Sequence, residues 1–379
     1  MTDTVSASKA APLAIIAAGG TGGHMFPAQC FAEEMKARGW RVGLVTDDRG
    51  ARYIDKFPRD WVEYVQAATV SSKRPDKLFM AALKIRAGIS SAKKQMRKDR
   101  PALVAGFGGY PSFPSLAAAK SMKVPIVIHE QNAVLGRVNR VFAKAADYVA
   151  CGFERLDRLP NAAQSKKRFV GNPVRPLIRS VRSAPYPSIN DGGLINVLVT
   201  GGSQGAKLFG EVVPAAVCEL DPVLRRRMNM VQQVREDQIE TVRGIYAEAG
   251  VESTLQPFFA DMQEKLAKAH LVIARAGAGT VTELCTVGRP SILIPLKIAM
   301  DDHQMANAQA VEAAGGADVI AEQNFNTQTL ADVLNTRLGH ADELADRAKA
   351  AHALGGMDAA KDLADLAEQA AGVSAVKQT

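Results

Sequence analysis

The sequence contains few aromatic residues and few cysteines. Aromatic residues make up 6% of the 379 residues, and the four cysteines (Cys30, Cys151, Cys218 and Cys285) are far apart in apolar surroundings. Because zinc and redox sites need closely spaced cysteines, we interpret all four as reduced core residues. The six histidines show no HxxxH or HxH spacing. The sequence therefore predicts no metal site.

Long apolar runs are also missing. No segment reaches the roughly 20 apolar residues that a membrane-spanning helix needs, and the start, MTDTVSASKAAP, lacks the apolar core of a signal peptide. We therefore expect a soluble chain in the cytosol. With 47% hydrophobic residues over this length, the chain should form two domains of somewhat under 200 residues each.

Charge is divided unevenly between the two halves. Residues 1–175 contain 29 Lys and Arg against 14 Asp and Glu, a net charge of +15, whereas residues 176–379 contain 18 against 25, a net charge of −7. This distribution predicts that the first half faces a polyanion, either nucleic acid or an anionic membrane surface. No nucleic-acid recognition motif accompanies the charge, so we expect no nucleic-acid partner.

Two stretches, about half the chain apart, share one pattern. The first, LAIIAAGGTGGHMFPA, begins at Leu13, and the second, INVLVTGGSQGAKLFG, begins at Ile195. In each, an apolar β-prone run leads through glycines into a helix-forming segment, whose first N–H groups can face an anion. The alternative is that the glycines only permit a tight turn. The repeated pattern favours two phosphate-binding α/β domains with a cleft between them.

Apolar strands alternate with helical segments in both halves. After the strand that begins at Leu13, we expect strands at Arg41–Thr46, Val62–Gln66, Ala102–Gly106, Ile126–His129, Tyr148–Cys151, Ile195–Thr200, Met228–Gln233, Thr254–Phe258, Leu271–Ala274 and Ser291–Pro295. This α/β alternation predicts doubly wound parallel sheets, with ligands at the carboxyl ends of the strands.

Composition also predicts the domain boundaries. The stretch Arg168–Gly193 is rich in proline and glycine, which disfavours regular structure. We expect a flexible tail at 1–12, a first domain at 13–175, a linker at 176–193, a second domain at 194–350 and a helical segment at 351–379 that packs back on the first domain.

Several polar residues follow the predicted strands. His24 is placed to remove a proton near neutral pH, although it could instead only bond the local backbone. Thr280 and Glu283 have the spacing of a capping box; alternatively, Glu283 accepts two ribose hydroxyls. Met25 stands where a dinucleotide fingerprint needs glycine. Downstream, DDHQMANA offers sugar-binding groups or a polar helix start.

Residues 73–100 contain ten basic and two acidic residues. One apolar stripe runs along this predicted helix, through Leu78, Ala82, Ile85, Ile89, Ala92 and Met96. The pattern is typical of a crossover helix on a sheet with a solvated basic face. The alternative is adsorption to anionic lipid.

Seven motifs occur in a fixed order: GGTGGH, GFGGYPS, HEQN, GNPVR, GGSQGA, RAGAGTVTE and DDHQMANA. Together they resemble the MurG family of bacterial UDP-N-acetylglucosamine transferases, which convert lipid I to lipid II in peptidoglycan synthesis. The resemblance extends from about Leu13 to Gly355. It implies a GT-B fold, in which two Rossmann-like domains face each other across a cleft. It also implies inverting transfer of GlcNAc to the C4 hydroxyl of the lipid I MurNAc, without a metal or other cofactor.

The resemblance further implies roles for individual residues. His24 matches the proposed general base. The donor side would comprise Ser203, Gln204 and Gly205 at the diphosphate, Thr280 at the adjoining helix start, Glu283 at the ribose, and His303 and Gln304 at the GlcNAc hydroxyls. The acceptor side would comprise Gly20, Thr21, Gly22, Gly108, Gly109, Tyr110, Asn132 and Arg175.

The same resemblance implies a cellular setting. UDP-GlcNAc, lipid I and the anionic membrane surface would be partners, and other cell-wall synthesis proteins are candidates. The enzyme would be peripheral, at the cytoplasmic face of the plasma membrane, and would serve cell-wall biogenesis, cell shape and cell division.

The chain departs from the family at two places. The family often has HQ(S/T)G after the second strand of the second domain, where this chain has VQQVRED at 231–237, so we expect no nucleotide contacts there. His303 stands where some members have glutamine. Three other functions remain open: a UDP-GlcNAc epimerase of similar architecture, an NAD-dependent dehydrogenase that uses Asp47 or Asp48 for ribose, and a non-catalytic nucleotide-sugar binder.

Overall fold

Two parallel β-sheets with helices on both faces organise the protein. The computed structural model of the chain describes residues 11–65, 75–189, 193–202, 207–297, 300–356 and 358–373. Each sheet is a separate layer with its own apolar clusters on either side. The predicted fold class, two doubly wound parallel-sheet domains, is confirmed.

The first sheet has seven strands in the order β3-β2-β1-β4-β5-β6-β7. The strands are β1 (Leu13–Ala17), β2 (Arg41–Thr46), β3 (Trp61–Tyr64), β4 (Leu103–Gly106), β5 (Ile126–Glu130), β6 (Tyr148–Cys151) and β7 (Lys167–Phe169). The helices are α1 (Gly22–Ala37), α2 (Pro75–Lys98), α3 (Ser112–Met122) and α4 (Arg137–Phe142). The chain leaves β1 toward β2 and returns to the other side of β1 as β4, so the strand order reverses between β1 and β4.

The second sheet has six strands in the order β10-β9-β8-β11-β12-β13. The strands are β8 (Ile195–Thr200), β9 (Met228–Gln233), β10 (Glu252–Gln256), β11 (Leu271–Ala274), β12 (Ser291–Leu293) and β13 (Ala317–Val319). The helices are α5 (Pro176–Arg179), α6 (Lys207–Cys218), α7 (Pro222–Arg225), α8 (Ile239–Glu248), α9 (Met262–Lys268), α10 (Ala278–Val287), α11 (His303–Ala313), α12 (Thr327–Leu338), α13 (Ala341–Ala353) and α14 (Ala359–Ala371). Here the strand order reverses between β8 and β11.

The predicted strands agree with the observed ones, and several have the predicted bounds, with shifts of one or two residues at the others. Two strands were not predicted, β7 and β13. Both are three-residue strands at sheet edges, too short to show the periodicity that identifies a strand.

The stretch predicted to be irregular, Arg168–Gly193, is partly regular. It contains the end of β7 and the one-turn helix α5. Pro176 is the first residue of α5, a position where the missing N–H of proline costs little and its fixed φ favours the helix. A proline in this stretch therefore marks the start of a short helix as well as the end of regular structure before it.

The last helix, α14, packs on the first sheet. Its Leu363, Ala364 and Ala367 join the apolar cluster formed by α1 and the β1–β4 strands. Glu368, nearly buried, accepts hydrogen bonds from the Trp40 indole at 3.1 Å and from Arg38 at 2.8 Å. The chain thus returns from the second sheet to cover a face of the first.

The basic helix α2 differs along its length. Toward its C-terminal end, Ala92 and Met96 are buried in the cluster with α3. Toward its N-terminal end, Phe79, Met80 and Leu83 are 65%, 53% and 46% exposed, and Ala82, which we placed on the buried stripe, is exposed as well. None of the helices in the described part of the chain combines the length and apolar character that crossing a bilayer requires.

Candidate active site

The first glycine turn lies where the strand order of the first sheet reverses. Gly19 and Gly20 follow β1, and Gly108 and Gly109 follow the neighbouring strand β4. Gly20, Gly108 and Gly109 have φ values of 89°, 87° and 76°, which other residues adopt only with strain. At such a reversal two helices diverge and open a crevice at the carboxyl ends of the strands.

His24 lies between these two turns, in the first turn of α1. Its Nδ1 is 3.0 Å from the Gly19 carbonyl oxygen. Its Nε2 is 3.4 Å from the position that a Cβ on Gly108 would occupy. Because a carbonyl oxygen can only accept, Nδ1 must carry the proton and Nε2 the lone pair. His24 therefore bonds the local backbone, and that bond directs a basic nitrogen toward the second turn.

Burial lowers the pKa of His24 below its ordinary value, opposed by the Glu130 carboxylate and the Gly19 hydrogen bond. The charges of His303 and Arg49 add to the lowering. The imidazole is accordingly neutral at neutral pH, the state that a general base requires.

Asp47 and Ser112 brace the turns beside His24. Asp47 Oδ1 accepts from the amides of Gly20 and Gly50, both at 2.9 Å. The Ser112 hydroxyl oxygen lies 2.8 Å from the Ala17 carbonyl oxygen and 2.6 Å from the Gly108 carbonyl oxygen, and its proton is shared between these two acceptors. Asp47 is the carboxylate that a dehydrogenase would use for ribose, and here it holds the turn instead.

Glu130 orders the neighbouring HEQN segment. Its two oxygens accept from the Asn132 amide at 3.1 Å, the Asn132 side chain at 3.2 Å, the Gly136 amide at 2.8 Å and the Asn139 side chain at 2.8 Å. Glu130 is 2% exposed, so these four donors compensate for its burial. Asn132, predicted on the acceptor side, is thereby held at the cleft.

The second glycine turn occupies the equivalent reversal between β8 and β11. Gly201 donates to Gln233 Oε1 at 3.1 Å, and Gln233 Nε2 donates to the Gly202 carbonyl oxygen at 3.2 Å. Gln233 belongs to the segment that departs from the family motif, and it supports the turn. The predicted diphosphate residues Ser203, Gln204 and Gly205 lie outside the described residues.

Glu283 and Arg175 form an ion pair across the linker. Arg175 Nε and Nη2 lie 3.0 Å and 2.7 Å from Glu283 Oε1, and the Arg175 guanidinium stacks 5.0 Å from the ring centroid of Phe26, two residues after His24. Burial raises the pKa of Glu283, opposed by Arg175. The ion pair thus connects the donor helix α10 to the helix that carries His24.

The capping-box alternative for Thr280 is wrong. Helix α10 begins at Ala278 with Gly277 as its N-cap, so Thr280 is the third helical residue rather than the cap. Glu283 lies one turn further along the helix and pairs with Arg175. Thr280 and Glu283 therefore both lie within the first two turns of α10.

The DDHQMANA segment connects the two domains. Asn307 is buried; it accepts from the Ala133 amide at 2.8 Å and donates to Asn132 Oδ1 at 3.1 Å. Gln304 Oε1 accepts from the Leu296 amide at 3.0 Å. Asp301 forms ion pairs with Arg140 and Arg158 of the first domain.

The structure thus brings His24 against Gly19 and the Gly108–Gly109 turn, and it places Asn132 against Asn307 and Glu283 against Arg175. Thr280 lies in α10, and His303 and Gln304 lie at the start of α11 in the second domain. Sequence reasoning missed Asn139 and Gln233, and it offered Asp47 as a ribose ligand, whereas the side chain of Asp47 holds the first glycine turn. In the sequence, these residues are recognisable only as polar residues at the end of a buried strand or in the helix that follows it.

Two family models match the chain. The Glycosyltransferase family 28 N-terminal domain matches residues 14–151, and the Glycosyltransferase family 28 C-terminal domain matches residues 196–369. Two curated relatives are both called UDP-N-acetylglucosamine--N-acetylmuramyl-(pentapeptide) pyrophosphoryl-undecaprenol N-acetylglucosamine transferase. The protein of Maricaulis maris is 51% identical and covers 92% of this chain and 95% of the relative. The protein of Caulobacter vibrioides is 48% identical, and the match covers 95% of this chain and 99% of the relative.

Solved structures agree with these relatives. MurG of Acinetobacter baumannii superposes with a TM-score of 0.79 at 28% identity, over 94% of this chain and 99% of that one. A UDP-GlcNAc 2-epimerase from Neisseria meningitidis superposes with a TM-score of 0.62 at 14% identity, over 93% and 98%. At that identity the epimerase shares only the fold, so the epimerase alternative is not favoured over the transferase.

Proposed function

The chain belongs to glycosyltransferase family 28, and from this premise we propose how its cleft performs a sugar transfer. The protein is an N-acetylglucosaminyltransferase of peptidoglycan synthesis. It moves GlcNAc from UDP-GlcNAc to lipid I, the N-acetylmuramyl-(pentapeptide) pyrophosphoryl-undecaprenol acceptor, and so forms lipid II. The dehydrogenase and the non-catalytic binder are not favoured by these relationships.

One observation carries the proposed mechanism: the Gly19 carbonyl fixes His24 so that its basic Nε2 faces the Gly108–Gly109 turn after β4. The acceptor's C4 hydroxyl lies against this nitrogen. Its oxygen attacks the anomeric carbon, Nε2 takes the hydroxyl proton, and the bond from the anomeric carbon to the diphosphate oxygen breaks with its electrons on UDP. The anomeric centre is inverted because the nucleophile enters opposite the leaving group.

The donor is held on the opposite wall. On this proposal, Ser203, Gln204 and Gly205 after β8, together with Thr280 at the start of α10, provide N–H donors to the charge that develops on the diphosphate. The Glu283 carboxylate accepts hydrogen bonds from the ribose hydroxyls. Because Arg175 already donates to this carboxylate, Arg175 must share it with the ribose or move away. His303 and Gln304 contact the GlcNAc hydroxyls.

The acceptor lies against Gly20, Thr21 and Gly22, the Gly108–Tyr110 turn and Asn132. Arg175, stacked on Phe26 and paired with Glu283, connects the acceptor wall to the donor wall. Because one substrate is water-soluble and the other is anchored in lipid, the reaction takes place at the boundary between membrane and water.

The basic helix α2 supports a peripheral position on an anionic membrane. Phe79, Met80 and Leu83 are exposed at one end, and basic side chains such as Lys94 and Arg97 are exposed at the other. Apolar insertion together with attraction to anionic headgroups is the usual basis of interfacial binding. We place the enzyme at the cytoplasmic face of the plasma membrane.

A single assay tests the reaction. The protein is incubated with UDP-GlcNAc and a short-chain lipid I analogue, and the product is examined for a disaccharide and for its anomeric configuration. A β-linked GlcNAc–MurNAc disaccharide is expected. Retained configuration would overturn direct displacement, and UDP-GlcNAc converted without any acceptor would indicate an epimerase.

A further inference from the structure

A groove on the first domain begins beside the catalytic turn. It has a volume of about 470 Å³ and lies between β3, α2, α3 and α4, within the size range of about 300–1,000 Å³ that is usual for ligand sites. Its walls are mainly apolar: Val65, Ile85, Phe113, Pro114, Val138 and Val141 line it. Of its lining residues, Tyr110 alone belongs to the acceptor wall described above.

The groove is continuous with the active site at one end. Tyr110 lines it and directly follows Gly108 and Gly109, the turn beside His24. Arg137 also lines it, at the start of α4, and its guanidinium lies 4.0 Å from Asp301 of the facing domain. This end of the groove therefore opens at the cleft, where the acceptor must lie.

The opposite end of the groove leads to the exposed apolar surface. Tyr64 and Val141 on its rim are 49% and 60% exposed, and Leu83 on the same helix α2 is 46% exposed. The polar residues Glu63 and Ser91 in its wall bond each other, with Ser91 Oγ 2.6 Å from Glu63 Oε1. An aliphatic chain could therefore lie here without leaving those groups unpaired.

Charge identifies the occupant. Two basic residues, Arg137 and Lys84, and one acidic residue, Glu63, line a mainly apolar groove, and Arg137 lies at the end beside the catalytic turn. This arrangement suits a molecule with an anionic head followed by a hydrocarbon chain. On the proposed function, the acceptor is such a molecule: a pyrophosphate joined to a prenyl chain. We infer that the groove binds the first isoprene units of the acceptor, with the pyrophosphate near Arg137. The chain then passes along α2 toward the membrane.

The test fills the groove with a large side chain and varies the length of the prenyl chain on the acceptor. Ala87 is exposed on α2 and lines the groove, whereas Ala82 is exposed on the same helix and does not line it. Ala87→Trp is compared with Ala82→Trp, using MurNAc-pentapeptide pyrophosphates that carry a geranyl or a methyl group. Binding of geranyl pyrophosphate alone is measured by calorimetry.

In the wild type, KM should be at least about tenfold lower for the geranyl acceptor than for the methyl acceptor, since each buried methylene contributes roughly fourfold in affinity. Ala87→Trp should raise the geranyl KM by about tenfold and weaken geranyl pyrophosphate binding. The methyl KM and the KM for UDP-GlcNAc should stay unchanged. Val141→Ser should act in the same direction, and Ala82→Trp should behave as wild type.

Equal KM values for the two acceptors in the wild type would overturn the inference, as would equal effects of the two tryptophans. A loss of liposome binding in Ala87→Trp without any change in geranyl KM would also overturn it and assign the groove to membrane lipid. If no acceptor gave product while geranyl pyrophosphate still bound wild type better than Ala87→Trp, the proposed function would fail and the groove assignment would stand.

Discussion

At the scale of single residues, the Gly19 carbonyl controls the chemistry of His24. It accepts a hydrogen bond from Nδ1 at 3.0 Å and so fixes both the tautomer and the ring orientation. Burial lowers the pKa of the same imidazole. The local backbone and the buried setting together leave a neutral imidazole whose free nitrogen faces the Gly108–Gly109 turn, where we propose that the acceptor binds.

Replacing His24 by alanine should decrease kcat by about 10² to 10⁴, the usual contribution of a general base. The affinity for UDP should change little, because the nucleotide lies on the other wall. Steady-state turnover and UDP calorimetry measure the two quantities. His340→Ala, at an exposed histidine of the second domain, is the matched control. Wild-type turnover in His24→Ala would exclude the role.

His129 predicts how stability depends on pH. The ring is 1% exposed and packs 5.4 Å from Phe107, and burial lowers its pKa to about 4. The unfolded chain binds this proton below about pH 6.5, so falling pH favours unfolding. Stability should fall by up to about 1.4 kcal/mol per pH unit between about pH 6.5 and pH 4. His129→Gln should show a smaller loss between these pH values.

Urea unfolding followed by tryptophan fluorescence measures this effect in the relevant domain, because both tryptophans, Trp40 and Trp61, lie in the first domain with His129. His340→Gln controls for the removal of a histidine. The same pH dependence in His129→Gln and wild type would show that other groups cause the acid sensitivity.

At the scale of elements, the two halves of helix α2 lie in different environments. Its C-terminal half is anchored in the core by Ala92 and Met96, and its N-terminal half exposes Phe79 and Met80. The helix packs against α3 on the first sheet. Anchoring one half of the helix in the core fixes the orientation of the apolar and basic groups on its outer surface.

Neutralising the basic end of α2 should weaken binding to anionic liposomes, because each basic residue near such a surface contributes about 1 kcal/mol. The variant replaces four residues by glutamine: Lys93, Lys94, Arg97 and Lys98. Sedimentation with vesicles of rising anionic lipid content measures the binding, and the difference from wild type should shrink at high salt.

A charge-matched control carries four glutamines on the second domain, at Lys207, Arg235, Arg243 and Lys349, whose side chains are more than half exposed. This control should bind liposomes nearly as wild type does. If both variants lost binding equally, net charge rather than α2 would explain the attraction.

At the scale of the whole molecule, a few polar contacts hold the two domains face to face. Asp301 of the second domain forms ion pairs with Arg140 and Arg158 of the first, and Asn307 donates a hydrogen bond to Asn132. Asp301 has a φ of 57°, a conformation that aspartate and asparagine tolerate better than most residues. We propose that these contacts set the distance between the donor site and His24.

Replacing Asp301 by asparagine should loosen this arrangement. Exposed ion pairs contribute up to about 1 kcal/mol each, so kcat/KM for UDP-GlcNAc should fall by about fivefold. It should also become less sensitive to salt, since the screened interaction has been removed. Asp302→Asn changes the same charge at the neighbouring residue and should have a smaller effect. Unchanged activity in Asp301→Asn would show that these ion pairs do not hold the reactive arrangement.

Local pattern alone determined the fold class and all of the strands except β7 and β13. Apolar periodicity places a strand, and glycines with positive φ follow it, because both depend on neighbours within a few residues. For the same reason His24, Thr280 and Glu283 could be placed at strand ends or helix starts without a structure. The ordered motifs added the family and the transferase activity.

Only the tertiary structure decided how these residues act together. Arg175 and Glu283 pair over 108 positions, and Asn132 and Asn307 over 175. The buried Asp47 carboxylate accepts from Gly20, 27 positions earlier in the chain, as well as from the nearby Gly50. Such contacts depend on how helices and sheets pack in space, and no spacing within the sequence encodes them.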